Sequence, residues 1–310
     1  MTSVPAQAIG DVQIRPYRAD DWEQVCDFTR RNWRADHPLC NRRLFEWQFK
    51  GFGNEANTIA SLLMWSGGTL IGFRGIIPGL YQVPTPAGGM AVLPGGSLAM
   101  WMISPEFRGT GLGGLMHQAA QRTMPVITGM GSNPATSIPI YVKNGFAVLE
   151  SMHRYIVPLA AERYAALLAQ RADPDEICEW AGSLTASDRN VGPRDVDIDA
   201  LAAAWQDGTF PVGIFSLYRS PAFWRWRYLD SAGFRYLFFG EPRQTGAVIA
   251  RIEKVHSTER PELHGETVLR IIEVVPRDSS AWSRGIDERL VDLIQGATRW
   301  ARHQGCAAAD

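Results

Sequence analysis

The sequence predicts an α/β protein with mixed α+β sheets, arranged as two tandem modules, the first complete and the second a degenerate copy that stops short of a full unit. Three observations carry that expectation. Apolar runs with strand spacing alternate with amphipathic helical stretches in both halves, the pattern of layered helix-and-sheet domains. A strand-like run at 98–103 halts at Ser104-Pro105 and enters a glycine loop, Arg108-Gly109-Thr110-Gly111-Leu112-Gly113, that opens straight into a helix. A Trp-bearing hexad at 44–49 (LFEWQF) returns at 223–228 (FWRWRY), each copy followed by paired strand candidates.

At 310 residues, with 45% hydrophobic and 20% charged residues, the chain is long enough for one large or two ordinary domains with their own cores. A net charge of −1 gives no footprint for nucleic acid. There is no run of about 18 apolar residues to cross a bilayer, and residues 1–13 lack the basic and apolar regions of a signal peptide, so the expected location is the cytoplasm. Cys26, Cys40, Cys178 and Cys306 form no CxxC pair. They read as reduced thiols, with neither a metal nor a disulfide framework.

The elements follow in order. Residues 12–17 alternate like a first strand, and Asp20-Asp21 open a helix whose face carries Trp22, Val25, Phe28 and Trp33. Residues 42–50 form a second helix. Strands are expected at 57–65 and 69–77 about a Gly67-Gly68 turn, then as short, Pro/Gly-broken pieces at 81–83 and 91–93. The strand at 98–103 feeds the glycine loop and a helix over 113–123. A buried strand at 125–130, a short proline-interrupted helix at 133–143 and strand material at 146–157 close the first module. A helix at 161–171 and a Gly/Pro/Asp segment at 182–199 make the connection. In the second module strands are expected at 234–239, 247–255 and 268–275, the last stopping at Pro276 much as 98–103 stops at Pro105. The helix that follows lacks the glycine nest, so one cofactor site is expected. The domain division is 1–160, a 161–210 connection, and 211–310.

The glycine loop points to chemistry. Backbone N–H groups at a helix N-terminus make a ready site for a diphosphate, and glycines let the main chain approach the anion. Gly109, Gly111 and Gly114 also fit the dinucleotide fingerprint GxGxxG. That fingerprint needs an acid about 20 residues on to hold a ribose, and 127–134 (ITGMGSNP) has none. No Gly-Lys-Ser/Thr occurs, which removes a P-loop. Tryptophans beside arginines, Trp33-Arg34 and Trp224-Arg225-Trp226-Arg227, have the amphipathic rings that suit a polar cleft.

With Arg108-Gly109-Thr110-Gly111-Leu112-Gly113 followed in order by Asn133-x-Ala135 and Tyr141-Val142-Lys143-Asn144-Gly145-Phe146, residues 12–158 resemble the GNAT acetyltransferase superfamily. The resemblance implies two tandem modules of that type. It implies that the amides of Arg108, Gly109, Thr110, Gly111, Leu112 and Gly113 hold the pyrophosphate of acetyl-CoA or another acyl-CoA. It further implies that the strand edge at Trp101, Met102 and Ile103 pairs with the pantetheine. Asn133 bonds the pantetheine amide or caps the following helix, two readings that stand side by side. Tyr141 acts as general acid, since a phenol can protonate a departing thiolate. The strand 98–103 has no carboxylate where many members place a base; His153, Glu150 and Asp36/His37 are the candidates, beside a water chain. Trp47 and Arg74 are candidate substrate contacts, with Glu46; Trp47 and Trp226 also suit helix packing. The implied activity is N-acylation of a primary amine on a small molecule, an amino sugar or nucleotide-linked amino sugar, by direct attack in a ternary complex, with the second module as a candidate substrate wall. An amino-acid or small-amine acetyltransferase is the near alternative. An acyl-CoA sensor without turnover is the alternative of a different class. No nucleic-acid, membrane or metal partner is implied.

Overall fold

The computed structural model describes residues 11–52, 58–149, 154–160, 163, 191–206, 214–257, 261–277 and 287–310. The chain divides into two compact units, Met1–Glu150 with Gly213–Tyr218 and Ser231–Gly233, and Ser151–Val212 with Arg219–Asp230 and Phe234–Asp310.

The first unit is a six-stranded mixed sheet in the order β1-β2-β3-β4-β5. Its strands are β1 (Val12–Pro16), β2 (Leu62–Ser66), β3 (Thr69–Pro84), β4 (Met90–Ile103) and β5 (Val126–Gly129). All neighbours are antiparallel except β4 and β5, and Ser216–Leu217 adds a short strand against β3 at Tyr81 and Gln82. Helix α1 (Trp22–Asn32) buries Trp22, Val25 and Phe28. Helix α2 (Arg42–Lys50) spans the bounds the sequence gives it, because the Asn41 side chain accepts from the Leu44 N–H at 3.2 Å and caps its start. Its buried rings, Phe45 and Phe49, pack against Trp22 and Phe73 at centroid distances of 5.1 and 5.6 Å. Helix α3 (Leu112–Gln121) buries Leu112, Met116 and Ala120 in a cluster with Met64, Ile71, Ile76 and Leu98. Helix α4 (Ile138–Lys143) is short.

Several expected boundaries are corrected here. The broken pieces at 69–77 and 81–83 are one strand, β3, through Pro78, and 91–93 joins 98–103 as β4 through Pro94. Both prolines are tolerated because, among the described residues, no second strand pairs with them on their other edge. Pro78 lies between the residues of β3 that pair with β2 and those that pair with Ser216–Leu217, and Pro94 precedes the start of β4–β5 pairing at Gly95. Strand β2 starts at Leu62, so residues 58–61 of the expected strand lie ahead of it, and 57 lies outside the described residues. Strand β5 is half-buried, not buried, because it is the sheet's edge. The helix expected from 133 begins at Ile138, with Pro139 in its first turn rather than interrupting it. Residues 146–149 are not strand; after the left-handed Gly145 (φ +83°), the Phe146 ring folds back onto Tyr141 at 5.2 Å.

The second unit holds a five-stranded sheet in the order β6-β11-β10-β9-β8, where β7 denotes Ser216–Leu217 of the first unit. Its strands are β6 (Val157–Pro158), β8 (Leu237–Phe239), β9 (Ala247–Lys254), β10 (Thr267–Val275) and β11 (Ala308–Ala309). The tail of the expected 146–157 strand therefore pairs with β11 in this sheet. Helix α5 (Ile198–Gln206) precedes α6 (Pro221–Trp224), and α7 (Glu288–His303) connects β10 to the parallel β11. Hairpin, crossover helix and parallel strand thus recur in the order of β3-β4-α3-β5, as the repeated sequence anticipates. The second hexad winds as α6 and then a π-turn, Arg225–Leu229. In both hexads the packing anchors differ from expectation: Trp47 and Trp226 are half-buried, whereas Phe45, Phe49 and Trp224 are buried. The 161–171 helix expectation lies outside the described residues, Arg163 excepted.

Candidate functional site

One open cleft of about 610 Å³ lies in the first unit, and three local structures build it. The first is the end of β4. Pairing with β5 stops at Leu98, so among the described residues 99–103 have no strand on that side. The β3–β4 register slips between Arg74–Trp101 and Gly75–Ala99, leaving Met100 as the unpaired bulge residue. Met100 has φ +38°, the one non-glycine among the described residues with positive φ, and it lines the cleft beside Ala99 and Trp101. A long side chain held in that region stores strain, which the neighbouring ladder must hold in place.

The second structure is the glycine loop. Gly109 and Gly111 have φ +79° and +89°, and a Cβ built at either meets nothing within 4 Å. Glycine is required there by backbone conformation, and the space beside the loop is open. Gly111 is the N-cap of α3, and the Leu115 N–H bonds back to its carbonyl at 3.2 Å. The amides ahead of Leu115 precede the helix's own hydrogen bonding and are available to an anion. Arg108 Nε donates to the Ile103 carbonyl at 3.1 Å and Thr110 Oγ1 to the Phe107 carbonyl at 2.7 Å, which fixes the loop to the strand end.

The third is a buried aromatic and cationic cluster. Arg74 on β3 is 2% exposed, and its Nη2 donates to Tyr141 Oη at 2.7 Å. Its guanidinium lies 4.7 Å from the Trp101 ring and 5.8 Å from the Tyr141 ring. Burial lowers the Arg74 pKa, and the Tyr141 oxygen opposes that shift. Because Tyr141 Oη accepts this bond, its own hydrogen remains for another acceptor. His117 of α3, fully buried, stands 4.7 Å from Tyr141 and 5.5 Å from Trp101. Burial first and the Arg74 charge second push its pKa down to about 4, so the imidazole is neutral. Among the described residues Arg74 Nε, Trp101 Nε1 and both His117 nitrogens have no hydrogen-bond partner. Each such group costs about 1–3 kcal/mol if it stays unmet, so the cluster has donors to spare.

The cleft gathers most of the residues expected from sequence: Arg74, Trp101, Ile103, Arg108, Gly109, Gly113, Asn133 and Tyr141 line it, with Trp33. Met102 and Leu112 are buried in the core, so their side chains do not line it. Asn133 Oδ1 accepts from the amides of Ala135 and Thr136 at 2.8 and 3.2 Å, which ties the turn ahead of α4; the N-cap of α4 itself is Ser137. Trp47 does not line the cleft. Glu46 pairs with Arg42 and Lys50, and Asp36 with Arg34. His37 accepts from the Leu39 N–H at 3.2 Å and caps a turn, its pKa lowered by burial. His153 and Glu150 lie outside the described residues. Sequence reasoning missed Met100, which carries no signal of its bulge, and His117, which stands beside the buried Met116 at helical spacing from Ala120. Among the described residues no group of three or more His, Cys, Asp and Glu side chains could hold a metal, and no helix is long and apolar enough to cross a membrane.

No family model matches the chain, and no curated protein matches it. Solved structures do. The chain is similar to Saccharomyces cerevisiae N-myristoyltransferase with bound myristoyl-CoA, with TM-score 0.58 and 13% identity over 99% of this chain and 73% of that one. It is also similar to a GCN5-related N-acetyltransferase from Anabaena variabilis, with TM-score 0.54 and 14% identity over 96% of this chain and 64% of that one. A third match, the GCN5-related N-acetyltransferase from Kribbella flavida, has TM-score 0.52 and 16% identity over the same shares, 96% and 64%. At these identities the likeness speaks to architecture alone: the chain has the GNAT-type acyltransferase fold.

Proposed function

We propose that this chain is an N-acyltransferase that moves an acyl group from coenzyme A to a primary amine of a small molecule. One observation supports it most: the left-handed Gly109 and Gly111 stand at the start of α3, soon after a strand that bulges at Met100 and whose residues 99–103, among the described residues, have no strand on their second edge. The amides from Gly109 to Gly113 bind the diphosphate, helped by the positive end of α3. The free edge of β4 pairs with the amide-bearing arm of the coenzyme as an added strand. A main-chain N–H beside the Met100 bulge stabilises the oxyanion that forms at the carbonyl.

The chain's own groups account for the proton movements. The substrate nitrogen forms the C–N bond as the C–S bond breaks, and Tyr141 gives its free hydrogen to the departing sulfur. The proton released by the nitrogen passes to water, since no carboxylate lines the cleft among the described residues. His117, neutral and without a hydrogen-bond partner among the described residues, stands beside Tyr141 and orients its ring. Much of the rate comes from holding two reactants together, an effect that can reach about 7–11 kcal/mol.

Incubating the protein with acetyl-CoA and a library of amines, amino acids, amino sugars and nucleotide-linked amino sugars, then weighing products by mass spectrometry, tests this reading. Free thiol and an N-acylated product are expected. Tight coenzyme binding with no acylation of any amine would favour a sensor instead.

A further inference from the structure

We propose that Arg74 receives a carboxylate carried by one of the two reactants, so that this cleft serves an anionic partner. The inference rests on the acyltransferase reading and names its substrate class. Other sheltered arginines of the molecule have carboxylate partners: Arg15 pairs with Asp21, Arg219 with Glu273, and Arg270 with Glu253. Arg74 is more deeply buried than these, yet among the described residues its one hydrogen-bond partner is a neutral phenol. A guanidinium has five N–H donors in a planar fork, and here Nε is without a partner. Leaving a buried charge so poorly met is costly unless something else completes it.

The surroundings say what completes it. Trp101 and Tyr141 hold the guanidinium against their faces, so the fork is ordered before a ligand arrives. A carboxylate matches such a fork with two parallel hydrogen bonds. Among its described lining residues the cleft has two arginines and no acid. Arg108, on the glycine loop, belongs with the diphosphate, which leaves Arg74 for a second anion. A polycationic amine, by contrast, finds no counter-charge there. Arg74 touches Tyr141, so the carboxylate sits within a few bonds of the reacting carbon. It is borne either by an amino-acid-like acceptor or by a short acyl chain ending in a carboxylate.

Matched pairs that differ only in charge test the inference by calorimetric binding. One arm titrates coenzyme-saturated protein with N-acetylglycine and with N-acetylglycinamide. The other compares succinyl-CoA with butyryl-CoA. At least a tenfold preference for the acid is expected in one arm, which then identifies the carrier. Arg74→Gln should erase that preference and Arg74→Lys should keep part of it, with coenzyme A itself bound as in the wild type. Equal binding of acid and neutral compound by the wild-type protein in both arms overturns the proposal, whatever the variants do. Thiol release in the amine screen is read separately, so failure of the anion site leaves the acyltransferase reading standing, and the reverse holds too.

Discussion

In the proposed reaction Tyr141 depends on the residue beside it. Arg74 occupies the phenol oxygen's acceptor side at 2.7 Å and leaves the hydroxyl hydrogen free. Tyr141→Phe should therefore lower kcat by roughly 100-fold or more, the size of a lost general acid, while the dissociation constant of coenzyme A stays unchanged in calorimetry. His117 makes a second prediction through stability. Its imidazole takes a proton near 6.5 when the chain is unfolded, but near 4 in the fold. Between those values the unfolded chain binds the extra proton, so stability is whole above about pH 6.5 and declines as pH falls toward 4. The unfolding free energy from urea titrations should fall by roughly 2 kcal/mol between pH 7 and pH 5, and His117→Met should flatten that dependence. A wild-type midpoint indifferent to pH in this window would mean the imidazole has a proton acceptor nearby.

At the scale of elements, the cleft depends on how β3 and β4 are joined. Gly75 faces the bulge, and a Cβ there would come within 2.6 Å of the Phe49 ring and 2.7 Å of the Ala99 carbonyl. Gly75→Ala should cost about 1–3 kcal/mol in denaturant unfolding, because neither the ring nor the backbone can retreat. Gly111→Asp places a side chain and a negative charge on a left-handed N-cap (φ +89°), so coenzyme affinity should fall roughly tenfold or more. The glycine loop, its helix and Tyr141 were legible in sequence, because each rests on local rules: a glycine at positive φ, a helix start, a fixed spacing. The length of β3 and β4 was not, since Pro78 and Pro94 break a strand by local rules and are tolerated where, among the described residues, no second strand pairs with them. The Met100 bulge was equally invisible, for it arises from register between two strands. The 146–157 segment misled for the same reason, its last residues pairing with β11 some 150 positions away.

Taken whole, the molecule is close to electrically neutral at −1, yet its cleft is lined by Arg74 and Arg108 with no acid among the described residues. Such local charge attracts anions in a screened way. Coenzyme A affinity should weaken steadily as sodium chloride is raised from 50 to 500 mM, and a flat response would place the diphosphate away from Arg108 and the glycine loop. The unfinished ladder of residues 99–103 has another consequence. A strand edge that no strand covers among the described residues is adhesive toward any extended peptide, another copy of the same protein included. Concentrated ligand-free protein should accordingly self-associate through this seam, visible as growing light scattering, and coenzyme A should disperse the particles by taking the vacant berth first.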